Sequence, residues 1–359
     1  MKQGSTIEKF AEQLYEHSKT KRDFVVDTRS LTLHASSTGR QEIAVSEVEW
    51  SPGENRIYEI NDHASKQIAA RLGIPTKYFQ RMAEDAPHLL EDSVNHWFKS
   101  QPERRMIRTL DGKARAFLSD RYRRIDNDAV FGMVFPILQE IEDMKIVSCD
   151  VSDSRMYLKA LFPRIRDEVS VGDEVQSGLV ISNGEVGNGS VKVEPLIYRL
   201  ICLNGMIVPD HSISRRHIGA HVGSGDGLVE ELYRDETIKA DDKALLMKIE
   251  DVVRSATTEL TFRRTVDKMR NAKENTPISS PVKAIEVLSN RFGFTEEEQN
   301  NVLLKLVSGS DISQYGVMNA ITAASATIGD YDRATQFERF GGQVLMLERP
   351  EWDEVALAA

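Results

Sequence analysis

The chain has 359 residues, 40% of them hydrophobic and 28% charged, with a formal net charge of −10. That composition fits a soluble globular protein with material for more than one domain. The negative balance excludes a whole-surface electrostatic grip on nucleic acid, so a polyanion would have to meet a local basic patch. The N-terminal MKQGSTIEKFAEQLYEHSK lacks the apolar core of a signal peptide, and no run of about 18 apolar residues occurs, so no membrane span is expected. The two cysteines, Cys149 and Cys202, fall in segments that read as strands, as buried reduced thiols of a cytoplasmic protein.

Residues 5–20 read as a helix from Ile7, Phe10, Ala11 and Leu14 at 3–4 spacing. Residues 23–50 hold short β-prone runs, closed by the turn signal Ser51-Pro52-Gly53. Asn61 reads as the N-cap of a helix to Leu72, Gly73 as its C-terminal stop, and Pro75 as the opening of a second helix. A third helix follows over 87–99. The Leu-Gly-Ile-Pro connection permits helix-turn-helix geometry, but the second helix, TKYFQRMAEDA, carries few basic residues and two acids. It is therefore read as a packing helix.

At residue 104 the pattern changes to strand. Asp111-Gly112 between two β-prone runs signals a two-residue hairpin. Asn127 then opens a helix to about residue 143, with Pro136 expected to bend or interrupt it. Strand runs resume to about residue 208, with the Gly-rich turn 184–189 reading as a hairpin that needs positive φ. Residues 211–230 read as a loop, 235–274 as one long helix, and 281–330 as three more, with a capping box at Thr295 and Glu298. Four sections follow: an N-terminal α/β segment (1–100), a central antiparallel meander with a helix (101–234), a helical region (235–345) and an acidic tail (346–359). The fold class is α+β, an antiparallel sheet core with packed helices.

The stretch 104–124, RRMIRTLDGKARAFLSDRYRR, holds eight Lys/Arg against two Asp, a local +6 on an acidic chain. Such an island implies a polyanionic partner or acidic surfaces elsewhere on the same molecule. Arg104, Arg105, Arg108, Lys113, Arg115, Arg121, Arg123 and Arg124 are the candidate phosphate contacts, and Phe117 and Tyr122 the candidate stacking rings. Arg215 and Arg216 would extend the groove. His211, His217 and His221 lie close in sequence, but glycines 219 and 223 oppose the helix that would align His217 and His221. They are weak metal candidates, and no metal or cofactor is assigned. The acids Asp120, Asp126, Asp128, Asp150 and Asp153, with Lys159, loosely match a nuclease pattern at the wrong spacing. The Gly-rich turn lacks the GK[ST] ending of a phosphate loop and runs into a strand.

The pieces HASKQIAARLGIPTKYFQRM, VNHWF, RAFLSDRYRRIDN, SGLVISNGEVGNGSVKVEPLIYRLICLNGMIV and GVMNAITAASATIGDYDRATQFERFGG together resemble the phage/plasmid-like protein family carrying the domain of unknown function 932. That resemblance implies a setting on phages, plasmids and integrative elements, among replication and recombination genes. A basic meander feeding a helix is similar in outline to Rad52-type annealing proteins, an analogy of architecture alone. The sequence therefore leads to a DNA-binding protein, single strands foremost, with a homo-oligomer as one arrangement. A metal-dependent nuclease and a protein-binding adaptor or counter-defence factor are the alternatives.

Overall fold

The computed structural model describes residues 1–36, 39–46, 57–120, 122, 124–189, 191–208 and 259–358, and seven single residues between 244 and 254. Arg121, Arg123, Arg215, Arg216, His211, His217 and His221 lie outside the described residues.

Two sheets organise the chain. The first comprises β1 (Arg22–Asp27), β2 (Leu31–Ala35), β3 (Gln41–Val45), β4 (Ile57–Ile60), β5 (Arg104–Leu110) and β6 (Lys113–Ser119), in the spatial order β1-β5-β6-β4-β3-β2. All its pairings are antiparallel except β4 with β6. β5 and β6, grouped by sequence with the central meander, thus lie inside the N-terminal sheet. Their turn is the expected one: Asp111 (φ 49°) and Gly112 (φ 76°) are both left-handed, which matches the twist of the flanking strands.

Helices α2 (Asp62–Arg71), α3 (Thr76–Asp85) and α4 (Pro87–Ser100) cover one face of this sheet. Alternation puts Leu31, Leu33, Ile43, Val45, Ile107 and Phe117 against Ile68, Phe79, Leu90, Val94 and Phe98. The outer edge of the sheet at β2 is closed by α4. Asn95 accepts from Leu33 N and donates to Leu33 O, both at 2.8 Å, and Glu91 accepts from Ala35 N at 2.6 Å. Side chains thereby replace the missing strand neighbour.

The second sheet is a meander of β7 (Lys145–Val151), β8 (Met156–Glu168), β9 (Glu174–Asn183), β10 (Lys192–Arg199) and β11 (Asn204–Ile207), paired in sequence order. One face packs on α1 (Ile7–Thr20) and α5 (Asn127–Gln139), through Phe10, Leu14, Val130, Val134 and Leu138. Pro136 sits in the last turn of α5, which ends at Gln139 rather than near 143.

The C-terminal part is α6 (Glu259–Glu274), α7 (Pro281–Phe292), α8 (Glu296–Gly309), α9 (Gln314–Ala324), α10 (Tyr331–Leu345) and α11 (Arg349–Ala356). The capping box at Thr295 and Glu298 is present. α10 lies over the other face of the meander, where its Tyr331 joins Tyr157, Leu161, Val180 and Leu196. The segment expected as an acidic tail forms α11. Its Trp352 is fully buried and donates from Nε1 to Thr276 O at 2.8 Å. Of the two thiols, Cys149 is buried in β7, where burial pushes it up to about 11, but Cys202 is exposed in the turn between β10 and β11.

Candidate functional site

β5 and β6 carry the basic stretch, and strand alternation divides its cations between two faces. Arg108 points away from α2–α4 into the junction between the two sheets, where its side chain is 0% exposed. There Nε donates to Asp23 Oδ1 (2.9 Å), Nη2 to Asp23 Oδ2 (3.1 Å) and Asp126 Oδ1 (2.5 Å), and Nη1 to Glu185 O (2.8 Å). The register shift after Arg108 makes Arg115 the extra residue of a bulge and re-aims it to the same side. Its Nη2 lies 2.6 Å from Glu185 Oε2 without hydrogen-bond alignment. Lys21 completes the set, 2.8 Å from Asp126, 3.0 Å from Asp128 and 3.7 Å from Glu185. Burial pushes the Asp126 carboxyl up, but Arg108 and Lys21 outweigh it and hold it below its ordinary value.

The turn between β9 and β10 is the other half of this junction. Asn127 N donates to Glu185 Oε1 (2.5 Å), and Tyr122 Oη donates to Gly184 O (3.1 Å). Gln67 Nε2 donates to Val186 O (2.7 Å), with His63 Nε2 at 2.8 Å from the same oxygen. Asn183 Nδ2 donates to Asn127 Oδ1 (2.8 Å) and Ile125 O (2.9 Å). Gly187 (φ 82°) presses on Leu118, where an added Cβ would sit 2.4 Å from Cδ2. Gly187→Ala is expected to lose about 1–3 kcal/mol in urea unfolding. Gly172→Ala, at φ 80° with nothing within 4 Å, isolates the backbone part of that loss; equal losses would show that the Leu118 contact contributes nothing.

Among the described residues, the candidates therefore do not line one groove. Arg108, Arg115 and Phe117 are buried, the last stacked on Phe98 at 5.8 Å between centroids. Arg105 is half-buried, donates to Glu103 Oε2 (2.8 Å) and lies 5.6 Å from the Phe117 ring centre. Tyr122 is half-buried against Met106, Ala116, Leu118 and Val186, so it anchors its loop rather than offering a free ring. Arg104 and Lys113 are exposed at opposite ends of the hairpin, and Arg124 is 54% exposed, 3.6 Å from Asp23. Acids elsewhere on the chain thus account for much of the +6.

A surface that the sequence reading missed adjoins this junction. α1 runs into β1 through Lys19, Thr20, Lys21 and Arg22. Thr20 Oγ1 donates to Asp111 Oδ1 (2.6 Å), and Arg22 pairs in register with Thr109, so this corner meets the β5–β6 turn that carries Lys113. Tyr15 is 62% exposed there, with the Lys19 ammonium 4.0 Å from its ring centre. Lys19, Arg22, Lys113 and Arg124 are exposed on the elements that meet near this corner, with Lys19 paired to Glu16 at 2.7 Å and Arg124 3.6 Å from Asp23. The available signal was the Tyr15–Lys19 spacing of one helical turn.

A second buried network lies beneath α10. Lys159 of β8 and Glu338 are both 0% exposed and bonded at 2.6 Å, with the Tyr331 ring 4.9 Å from the ammonium. Tyr331 Oη lies 2.5 Å from Ser148 Oγ, and Arg339 donates from Nη2 to Glu194 Oε2 (2.6 Å). Burial lowers the Lys159 pKa, with Glu338 opposing it in part. Glu338 Oε1, Thr335 Oγ1 and Ser182 Oγ have no hydrogen-bond partner among the described residues. Lys159 thus answers to a helix residue and not to the nuclease-like pattern with Asp150 and Asp153. Among the described residues, no group of three or more His, Cys, Asp or Glu could hold a metal ion, and no helix is long and apolar enough to cross a membrane.

A family model described as a domain of unknown function, DUF932, matches residues 115–337. The chain belongs to the DUF932 family. The DUF932 span runs from β6 into α10, taking in the whole second sheet and the β9–β10 turn. No curated protein and no solved structure is matched.

Proposed function

We propose that the protein binds nucleic acid, single-stranded DNA foremost, at the corner where α1 meets β1. The observation that carries this reading is the exposed Tyr15 ring beside Lys19, on a helix that runs into β1 at exposed Arg22. An aromatic ring next to cations is what a single strand uses, the ring stacking on a base and the cations meeting the backbone. The phage/plasmid resemblance and the free thiols fit a role in DNA recombination or replication in a reducing cytoplasm. The reading assigns no covalent chemistry and no cofactor.

The test is fluorescence anisotropy of a labelled single strand at about 50 and 200 mM salt, where each phosphate contact contributes about 0.7 to the salt slope. Tyr15→Ala is expected to weaken binding by about 1–3 kcal/mol, and Lys19→Ala with Arg124→Ala to flatten the salt dependence. A parent protein that leaves the strand free at the lower salt removes the reading. A protein partner, sought by pull-down, would then be the next candidate.

A further inference from the structure

The helix read from sequence as a packing element proves to be the outermost layer of the N-terminal half. α2 packs on β6 and α4 on β2, while α3 packs chiefly on these two helices. Of its ten residues only Phe79 is buried, with Met82 and Ala83 turned partly inward. Lys77, Tyr78, Gln80 and Arg81 are exposed, Tyr78 by 55%.

The connection into α3 is a defined turn. Gly73 takes φ 68°, and Ile74 N donates back to Ala69 O at 2.9 Å, so α2 ends in a Schellman-type turn. Ile74 packs on the apolar core beneath, and Pro75 starts α3. Two helices joined by a four-residue glycine-containing turn, the first packed down and the second facing out, share the connection of a helix-turn-helix unit. Charge along α3 is segregated. Its first six residues carry Lys77 and Arg81 and no carboxylate, while Glu84 and Asp85 occupy its end, where Arg81 Nε lies 3.4 Å from Asp85. Lys66 of α2 is exposed as well.

We infer that α3 is a duplex-DNA contact helix, entering the major groove with its N-terminal half. Lys77 and Arg81 would meet phosphates or guanine edges, and Tyr78 and Gln80 would lie against the groove floor or wall. The acids at the far end would point away from the duplex. The ligand is B-form DNA rather than duplex RNA, because a B-form major groove about 12 Å wide admits a helix and the narrow A-form groove does not. The surface is separate from the α1–β1 corner, so either can fail alone.

The experiment is anisotropy of a mixed-sequence DNA duplex of about 24 base pairs, an RNA duplex of the same sequence and a DNA single strand, at about 50 mM salt. The full chain is compared with Lys77→Glu/Arg81→Glu. All the changed side chains are on the surface, and an unchanged melting temperature checks the fold. The expected result is DNA-duplex binding by the parent, weakened at least about tenfold in the double variant, with single-strand binding unaltered. Glu84→Gln/Asp85→Asn should shift duplex binding the other way. Duplex binding that ignores both variants, equal binding to the RNA duplex, or none by the parent overturns the inference. Single-strand binding lost in Tyr15→Ala but kept in Lys77→Glu/Arg81→Glu would report on the other surface alone.

Discussion

Lys159→Ala is expected to lower the stability of the folded chain by about 3–5 kcal/mol, because it leaves Glu338 charged and unpaired in a dry interior. Both partners are fully buried, and one Glu338 oxygen already has no hydrogen-bond partner among the described residues. Urea unfolding reads the loss as a lower midpoint. Replacing both residues together, Lys159→Met with Glu338→Leu, should recover most of it, since removing two buried charges also removes two desolvation costs. A single variant as stable as the parent would mean that water reaches the pair and that α10 is not sealed on the sheet.

Arg108→Ala is expected to cost a similar amount, about 3–5 kcal/mol. Arg108 is the cation shared by Asp23 and Asp126, and it also donates to the β9–β10 turn through Glu185 O. Lysine is a poor substitute, because one ammonium cannot reproduce the planar fork that reaches four oxygens on three residues. Arg108→Lys should therefore fall between parent and alanine. The same network sets a pH dependence. The Asp126 pKa is depressed in the fold, so its contribution is fully present above the ordinary value of 3.8 and is lost as pH falls from there through the folded value. In Arg108→Ala the folded value moves back up, so the loss of stability on acidification below the ordinary value should become smaller. A limb unchanged in the variant would place the proton uptake on another carboxylate.

The local elements were largely legible in the sequence, because each depends on neighbours in the chain. Asn61 and Thr295 cap helices, Gly73 ends one, Asp111-Gly112 makes the hairpin turn, and the glycines after Asn183 make another. What was not legible is long-range. No periodicity shows that β5 pairs with β1 across about eighty residues, and so nothing local shows that β5 and β6 belong to the first sheet. The described cations of the basic stretch do not line a groove for the same reason. Its charge was read along the chain, whereas Asp23, Asp126 and Glu185 reach it from three separate elements. Phe117 and Tyr122 looked like exposed rings because composition does not tell which face of a strand is covered. The order of charges along α3 was visible in the sequence, but the outward placing of Lys77, Tyr78, Gln80 and Arg81 was not.

The matched family span and the two buried ion networks are out of step. The span opens at residue 115, inside β6, and closes at residue 337, one residue before Glu338. Lys159 falls within it and its partner outside; Asp126 and Glu185 fall within it and Arg108, Asp23 and Lys21 outside. The matched span by itself therefore divides both ion networks. A piece cut at those limits would keep half of each ion network and an open flank on β6 where β5 and β4 had been, so the flanking segments are structural members of the domain and not appendages to it.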